Sequence, residues 1–178
     1  MDEDGVIGTK LLTGSITRKY IARSLTGNVI IPDEVDRIGS YSFYNNDNIM
    51  TFYSLNATQI GGWAFAYCNN LTEVNLPSLT SIPYRTFYQN TALTTVRIPK
   101  VTLIDSQPFY GCKALKSISL PSASSIHVDA FSGCTALTSI YVPFASDSSA
   151  AANAPWGATG VEIFYNTQFD TDGNPVTT

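Results

Sequence analysis

The side chains with chemistry to offer are few: three cysteines, one histidine and scattered carboxylates. Cys68, Cys112 and Cys134 include no C-x-x-C pair, and a lone His127 cannot supply a two-histidine zinc site, so no metal site is expected. Cys112 and Cys134 stand one fixed interval apart, Cys68 lies two such intervals before Cys112, and Asn46 and Asn90 fill the same register. That regularity reads as buried structural thiols. Asp105 and His127 are separated by the same interval, with Ser106 beside Asp105. A Ser/His/Asp device needs a base within hydrogen-bond reach of the nucleophile and an acid to orient it. Equivalent places in stacked repeats could set Asp105 beside His127, yet on an outer face with no oxyanion donors the expectation is a surface pair. The run Asp170-Thr171-Asp172-Gly173-Asn174 faintly resembles a calcium loop. Its glycine comes early and no glutamate closes it, so a flexible tail is expected instead. No glycine-rich phosphate loop and no carboxylate pair of defined spacing is present. Catalytic residues and cofactors are expected to be none.

The composition bounds what else the chain can be. In 178 residues, 44% are hydrophobic and 13% charged, which suits a folded domain with a sizeable core and not a disordered segment. The net charge is −4 and the pI near 4.7. The basic run Lys10, Arg18, Lys19 and Arg23 is diluted by apolar residues, so no nucleic acid partner is expected. No apolar run is long enough to span a membrane, and the acidic start Met1-Asp2-Glu3-Asp4 does not read as a secretory signal.

What positions these residues is an internal repeat. Leu71, Leu93, Leu115 and Leu137 recur at a constant 22-residue interval; Ile49 precedes them in step, and Thr26 lies one step further back with one extra residue. Counting these as place one, place four reads Val29, Phe52, Val74, Val96, Ile118, Ile140 and place six Ile31, Ser54, Leu76, Ile98, Leu120, Val142. Place seven is proline in every repeat but one, where it is Leu55; place twelve holds Ile38, Ile60, Ile82, Ile104 and Ile126; place seventeen holds Phe43, Phe65, Phe87, Phe109 and Phe131. Places four and six alternate with polar residues, the period of a strand with one buried face. Proline lacks an N–H and ends it. A segment such as Gly61-Gly62-Trp63-Ala64 reads as a turn or single helical turn. One repeat cannot bury its apolar side chains alone; stacked repeats bury them as ladders. Residues 26–143 keep the register, and 1–25 and 144–178 break it, so these ends are expected to be an N-terminal cap and a C-terminal cap and tail.

The sequence Leu71-Thr72-Glu73-Val74-Asn75-Leu76-Pro77 running into Ile82, and Ile60-Gly61-Gly62-Trp63-Ala64-Phe65-Ala66-Tyr67-Cys68, resemble the BspA-like, or Treponema-pallidum-type, leucine-rich repeats of bacteria. The resemblance covers residues 26–143. It implies an α/β solenoid: a right-handed coil with one parallel β-sheet and short turns or single helical turns on the convex side. It implies a small polar side chain at place twenty that bonds backbone in the turn before the next strand, which accounts for the Asn/Cys alternation. Cys112 and Cys134 would then be stacked neighbours able to form a disulfide, but the odd count and matching places argue against one. The ending Ile140-Tyr141-Val142-Pro143 with Asn153-Ala154-Pro155-Trp156-Gly157-Ala158-Thr159 is similar to prophage tail-associated members.

Such a chain is expected to be a non-enzymatic module that binds a protein or glycan, or a structural part of a phage tail or surface structure. The setting implied is extracellular, cell-surface or virion, with a cytoplasmic one left open by the lack of a signal. No membrane insertion is expected, and copies could associate through the caps. Strand residues at places three and five point outward. In that face Tyr53, Asn75, Arg97 and Tyr141 break the monotony of Thr and Ser, and Tyr and Arg are favoured interface anchors. These four are the candidate ligand-binding residues. A second row of Tyr44, Ala66, Tyr88, Tyr110 and Ser132, with Trp63 nearby, could stack on sugar rings or merely shield the turns.

Overall fold

A computed structural model describes residues 14–16 and 25–176. Apart from 14–16 and Leu25, the expected N-terminal cap and its basic run therefore lie outside the described residues.

The 22-residue register becomes a coil of about six turns built from parallel strands. Strands β2 (Gly27–Ile31), β4 (Ile49–Ser54), β6 (Glu73–Asn75) and β8 (Thr95–Arg97) pair side by side, and β10 (Ser117–Ser119), β12 (Ser139–Tyr141) and β13 (Glu162–Phe164) continue along the coil. Equivalent places face each other, as in Val74 with Val96 and Ile118 with Ile140. From β6 to β12 each strand covers only places three to five, and the proline at place seven lacks the donor that would prolong it.

Away from these strands the chain forms a second parallel ladder beyond the single sheet expected from the sequence. It comprises β1 (Gly14–Ile16), β3 (Val35–Ile38) and β5 (Gln59–Ile60), then β7 (Ser81–Ile82), β9 (Leu103–Ile104) and β11 (Ser125–Ile126). Most of these are two residues long, too short to show alternation. They exist because the place-twelve isoleucines must stack. The remaining side is a run of turns, and the one helical piece among the described residues is the 3-10 segment Ser149–Ala151.

The core is a set of columns. The place-seventeen phenylalanines stack face to face, with centroids 4.8 Å apart between Phe43 and Phe65 and 5.5–5.6 Å onward through Phe87, Phe109 and Phe131. Phe52 closes edge-on against Phe43 and Phe65 at 5.0 and 4.6 Å. All five place-seventeen rings are fully buried. Threonine hydroxyls seal two corners by donating to the carbonyl one coil back: Thr94 to Thr72 at 3.0 Å, Thr138 to Lys116 at 3.1 Å, and Thr80 to Thr58 and Thr102 to Thr80 at 3.4 and 3.3 Å. Beyond place seven of the last regular repeat, β13 adds a strand beside β12. Trp156 is fully buried there: its carbonyl accepts the N–H of Phe131 at 2.9 Å, and its ring packs edge-on against Phe144.

Phe87 has a phenylalanine stacked on each side. Phe87→Ala is expected to lower unfolding free energy by about 3–5 kcal/mol, the usual cost of truncating a buried aromatic, as read from urea denaturation. A loss below about 1 kcal/mol would show that the column is not core.

Candidate functional site

On the outward sheet face, the register sets Tyr53 beside Asn75 and Asn75 beside Arg97. These three line one hollow of about 380 Å³ together with Leu55, Lys100, Thr171 and Asp172. Tyr141 is not part of it: it stands on β12, its ring stacked at 4.6 Å on Phe164. The structure thus brings three of the four candidate residues together and separates the fourth. It also shows that residues 170–174, read from sequence as a flexible tail, fold back onto this face. Asp172 pairs with Arg97 at 2.9 Å, and Ser119 Oγ donates to the Gly173 carbonyl at 2.5 Å. No periodic signal could have revealed this, since the tail has no equivalent in other repeats.

The opposite, turn side carries a larger feature. Tyr41, Tyr44, Trp63, Tyr67, Tyr84, Tyr88 and Tyr110 form one contiguous aromatic surface across four coils. Arg85 lies within it, its guanidinium carbon 4.9 Å from the Trp63 ring, 4.7 Å from Tyr84 and 4.8 Å from Tyr88, while its Nε donates to Gln107 at 2.7 Å. The sequence reading found Tyr44, Tyr88, Tyr110 and Trp63 and missed Tyr41, Tyr67, Tyr84 and Arg85, which occupy places fourteen, fifteen and nineteen.

The backbone explains why these places project. The N–H groups of places fifteen, seventeen and nineteen donate to the next coil, as in Trp63 to Tyr84 at 3.2 Å, Phe65 to Thr86 at 2.9 Å and Tyr67 to Tyr88 at 2.8 Å. Aiming alternate donors the same way requires left-handed backbone. Places fifteen and nineteen supply it: φ is +60° at Tyr41, +61° at Trp63, +53° at Arg85 and +62° at Tyr67. Coils four and five use glycine at place nineteen, with φ +71° at Gly111 and +75° at Gly133. A side chain in this conformation costs roughly 1–2 kcal/mol relative to glycine. Asn45, Gln89 and Gln107 carry the same conformation as Trp63 and Tyr67, so most coils bear side chains on left-handed backbone at these places.

Residues 15–138 match six copies of the BspA type leucine rich repeat region. The chain belongs to this family. No curated protein matches it. Among solved structures it is similar to the leucine rich repeat protein of T. pallidum, at 21% identity and a TM-score of 0.61 over 78% of this chain and 69% of that one. It is similar to a leucine-rich repeat protein from Bacteroides ovatus, at 25% identity and 0.65 over 80% of this chain. It is also similar to a leucine rich cell surface protein from Faecalibacterium prausnitzii, at 29% and 0.50 over 72%. The chain spans 42% of the length of each of the last two. BspA-type repeats build protein-interaction and surface-binding modules, and their coil is typically a non-enzymatic scaffold. No helix among the described residues is long and apolar enough to cross a membrane.

The chemistry-bearing residues fit that scaffold. His127 does not meet Asp105, as stacking alone suggested: its Nδ1 lies 2.5 Å from Asp129 two residues on, because the local turn is the nearer partner. Ser106 Oγ donates to both Asp129 oxygens at 3.2 Å. The carboxylate thus sits between hydroxyl and imidazole, and Ser106 bonds Asp129 and not the His127 ring. Partial burial pushes the Asp129 carboxyl up, but His127, Ser106 and the Gln107 N–H outweigh it and hold it below the ordinary range. At place twenty, the thiols of Cys68, Cys112 and Cys134 donate to the carbonyls of Phe43, Phe87 and Phe109 at 3.0, 3.3 and 2.9 Å. Asn90 Oδ1 likewise accepts the Cys68 N–H at 2.9 Å. Burial pushes the Cys68 thiol up to about 12 and raises Cys112 well above its usual value.

At pH 8 the native protein is expected to react with Ellman's reagent at Cys68 roughly a thousandfold more slowly than the unfolded chain, whose thiol ionises near pH 8.5. A thiol kept neutral in the fold stabilises it fully below that unfolded value. Stability should therefore fall as pH rises from about 8.5 towards 12. Rapid stoichiometric labelling of folded protein at pH 8 would contradict the assignment.

Proposed function

We propose that this chain is a non-enzymatic module that binds a protein partner outside the bacterial cell, and that the aromatic turn surface around Trp63 makes the contact. The observation that carries the reading is the cluster of Trp63, six tyrosines and Arg85, in which Tyr41, Trp63, Tyr67 and Arg85 stand on left-handed backbone. Backbone strain of this kind collects at functional positions. Trp, Tyr and Arg are the residue types that dominate binding energy at protein interfaces. The rings are rigid and already packed against one another, so little side-chain entropy remains to be lost on binding.

The same packing favours a protein over a sugar. Trp63 is flanked by the Tyr41 ring of the preceding coil, 6.0 Å away and within 10° of parallel, and by Arg85 of the next. A pyranose needs an open ring face to stack on. This surface presents ring edges and hydroxyls instead, with Tyr41 and Tyr84 the most exposed at 37% and 39%. An external setting is supported by the likeness to the F. prausnitzii cell surface protein.

The test is an array of host extracellular proteins probed with the wild type, Trp63→Gly, Arg85→Ala and Tyr53→Ala. Proteins bound by the wild type should be bound at least tenfold more weakly by Trp63→Gly and Arg85→Ala, a difference of about 1.4 kcal/mol or more. Tyr53→Ala should bind as wild type. Trp63→Gly should change stability by no more than about 1 kcal/mol, because relief of the left-handed strain offsets the lost ring contacts. Wild-type binding by Trp63→Gly would overturn the proposal.

A further inference from the structure

The chain's last described residues form a turn whose shape is set from within. Val176 N–H donates to the Gln168 carbonyl at 2.8 Å, and Asp170 N–H to the Asn174 carbonyl at 3.0 Å. Asp170 Oδ1 accepts the N–H groups of Asp172 and Asn174 at 2.9 and 2.8 Å, and its Oδ2 accepts Asn174 Nδ2 at 2.9 Å. The tip owes none of these bonds to the coil. It nevertheless fits the coil closely. Gly173 is buried at φ +81°, and a Cβ there would come within 2.8 Å of Pro99 Cβ and 3.2 Å of Pro121 Cγ. The place-seven prolines thus make a slot that admits glycine alone. On one side of the slot Arg97 meets Asp172; on the other Ser119 meets the Gly173 carbonyl. Lys100 stands in the same hollow, so two cations face a turn that carries two carboxylates.

The attachment is weak for so close a fit. The ion pair is exposed, with Arg97 at 38% and Asp172 at 69%, and such pairs contribute little. The lead-in residues are held to the coil, Asn166 N–H donating to the Phe144 carbonyl and Thr167 N–H to that of Val142, which keeps the turn beside the slot. The hollow of about 380 Å³ that runs on past Asp172 to Asn75 and Tyr53 is not filled by the turn.

We propose that the outward face over β8 and β10 is a receptor for acidic, glycine-containing protein turns, and that residues 169–176 are its resident, exchangeable occupant. A partner presenting Asp-Gly on a tight turn repeats the Arg97, Ser119 and proline-slot contacts and extends its flanking chain into the hollow. This site lies on the opposite side of the coil from the aromatic surface, and neither depends on the other.

The experiment uses the full chain and a fluorescein-labelled peptide with the sequence of residues 168–176, followed by fluorescence anisotropy. The Gly173→Val protein, whose own turn can no longer enter the slot, is expected to bind the peptide at least tenfold more tightly than the wild type does. Adding Arg97→Ala to Gly173→Val should weaken binding about threefold, the scale of an exposed ion pair, and a peptide with valine in place of its glycine should not compete. Asp172→Ala with Ser119 intact provides a second way to release the turn and should also raise peptide binding, whatever Gly173→Val does to folding. The inference is overturned if neither released protein, shown folded by its thermal melt, binds the peptide better than wild type, or if Arg97→Ala leaves the affinity unchanged.

Discussion

Every residue in this coil has its own equivalent as a neighbour, about 4.8 Å above and below it. A side chain is therefore kept only if it tolerates a copy, or a near copy, of itself at contact distance. Phenylalanine meets the requirement by stacking flat, isoleucine by filling a column, and threonine by donating to the carbonyl of the threonine before it. Cysteine and asparagine exchange at place twenty because both bond the neighbouring turn's backbone. Like charges fail the requirement, which accounts for a charged share of 13% and for rows in which an ionic residue is followed by a neutral one, as Asn75, Arg97, Ser119.

That constraint also decides what the sequence could reveal. The Ile and Phe columns are legible because their spacing never varies, and they determine the strands, the core and the outward direction of places three and five. The two-residue strands of the second ladder are too short for a period of two to register. The left-handed places are hidden for another reason. Positive φ normally announces itself as glycine, but three of five coils put Asn45, Tyr67 and Gln89 at place nineteen, and only Gly111 and Gly133 give the hint. His127 was read against its stacking neighbour, although a partner two residues away in the same turn is closer. The tail has no repeat to be read against, so its return to Arg97 and Ser119 is visible only in three dimensions.

The two faces that result differ in kind. The turn side is a rigid array of rings whose positions are fixed by inter-coil hydrogen bonds at places fifteen, seventeen and nineteen. The sheet side is shallow and polar, and gains shape where an ordered turn lies across it. Tyr141, set against Phe164 at the end of the sheet, belongs to the closing of the coil. The fold provides the geometry of both faces, while their specificity lies in residues that depart from the repeat.

The ladder of Phe87, Phe109 and Phe131 has an evolutionary corollary. Because the upper and lower surfaces of a coil are interchangeable, duplicating one repeat length of sequence at this point would insert a new layer without creating a new kind of contact. The molecule can lengthen by whole layers, much as a ruler gains graduations. Each added layer would shift the C-terminal turn about one strand spacing further from Trp63 and leave the core columns intact. In a protein built this way, the distance between two surface features is inherited as a whole number.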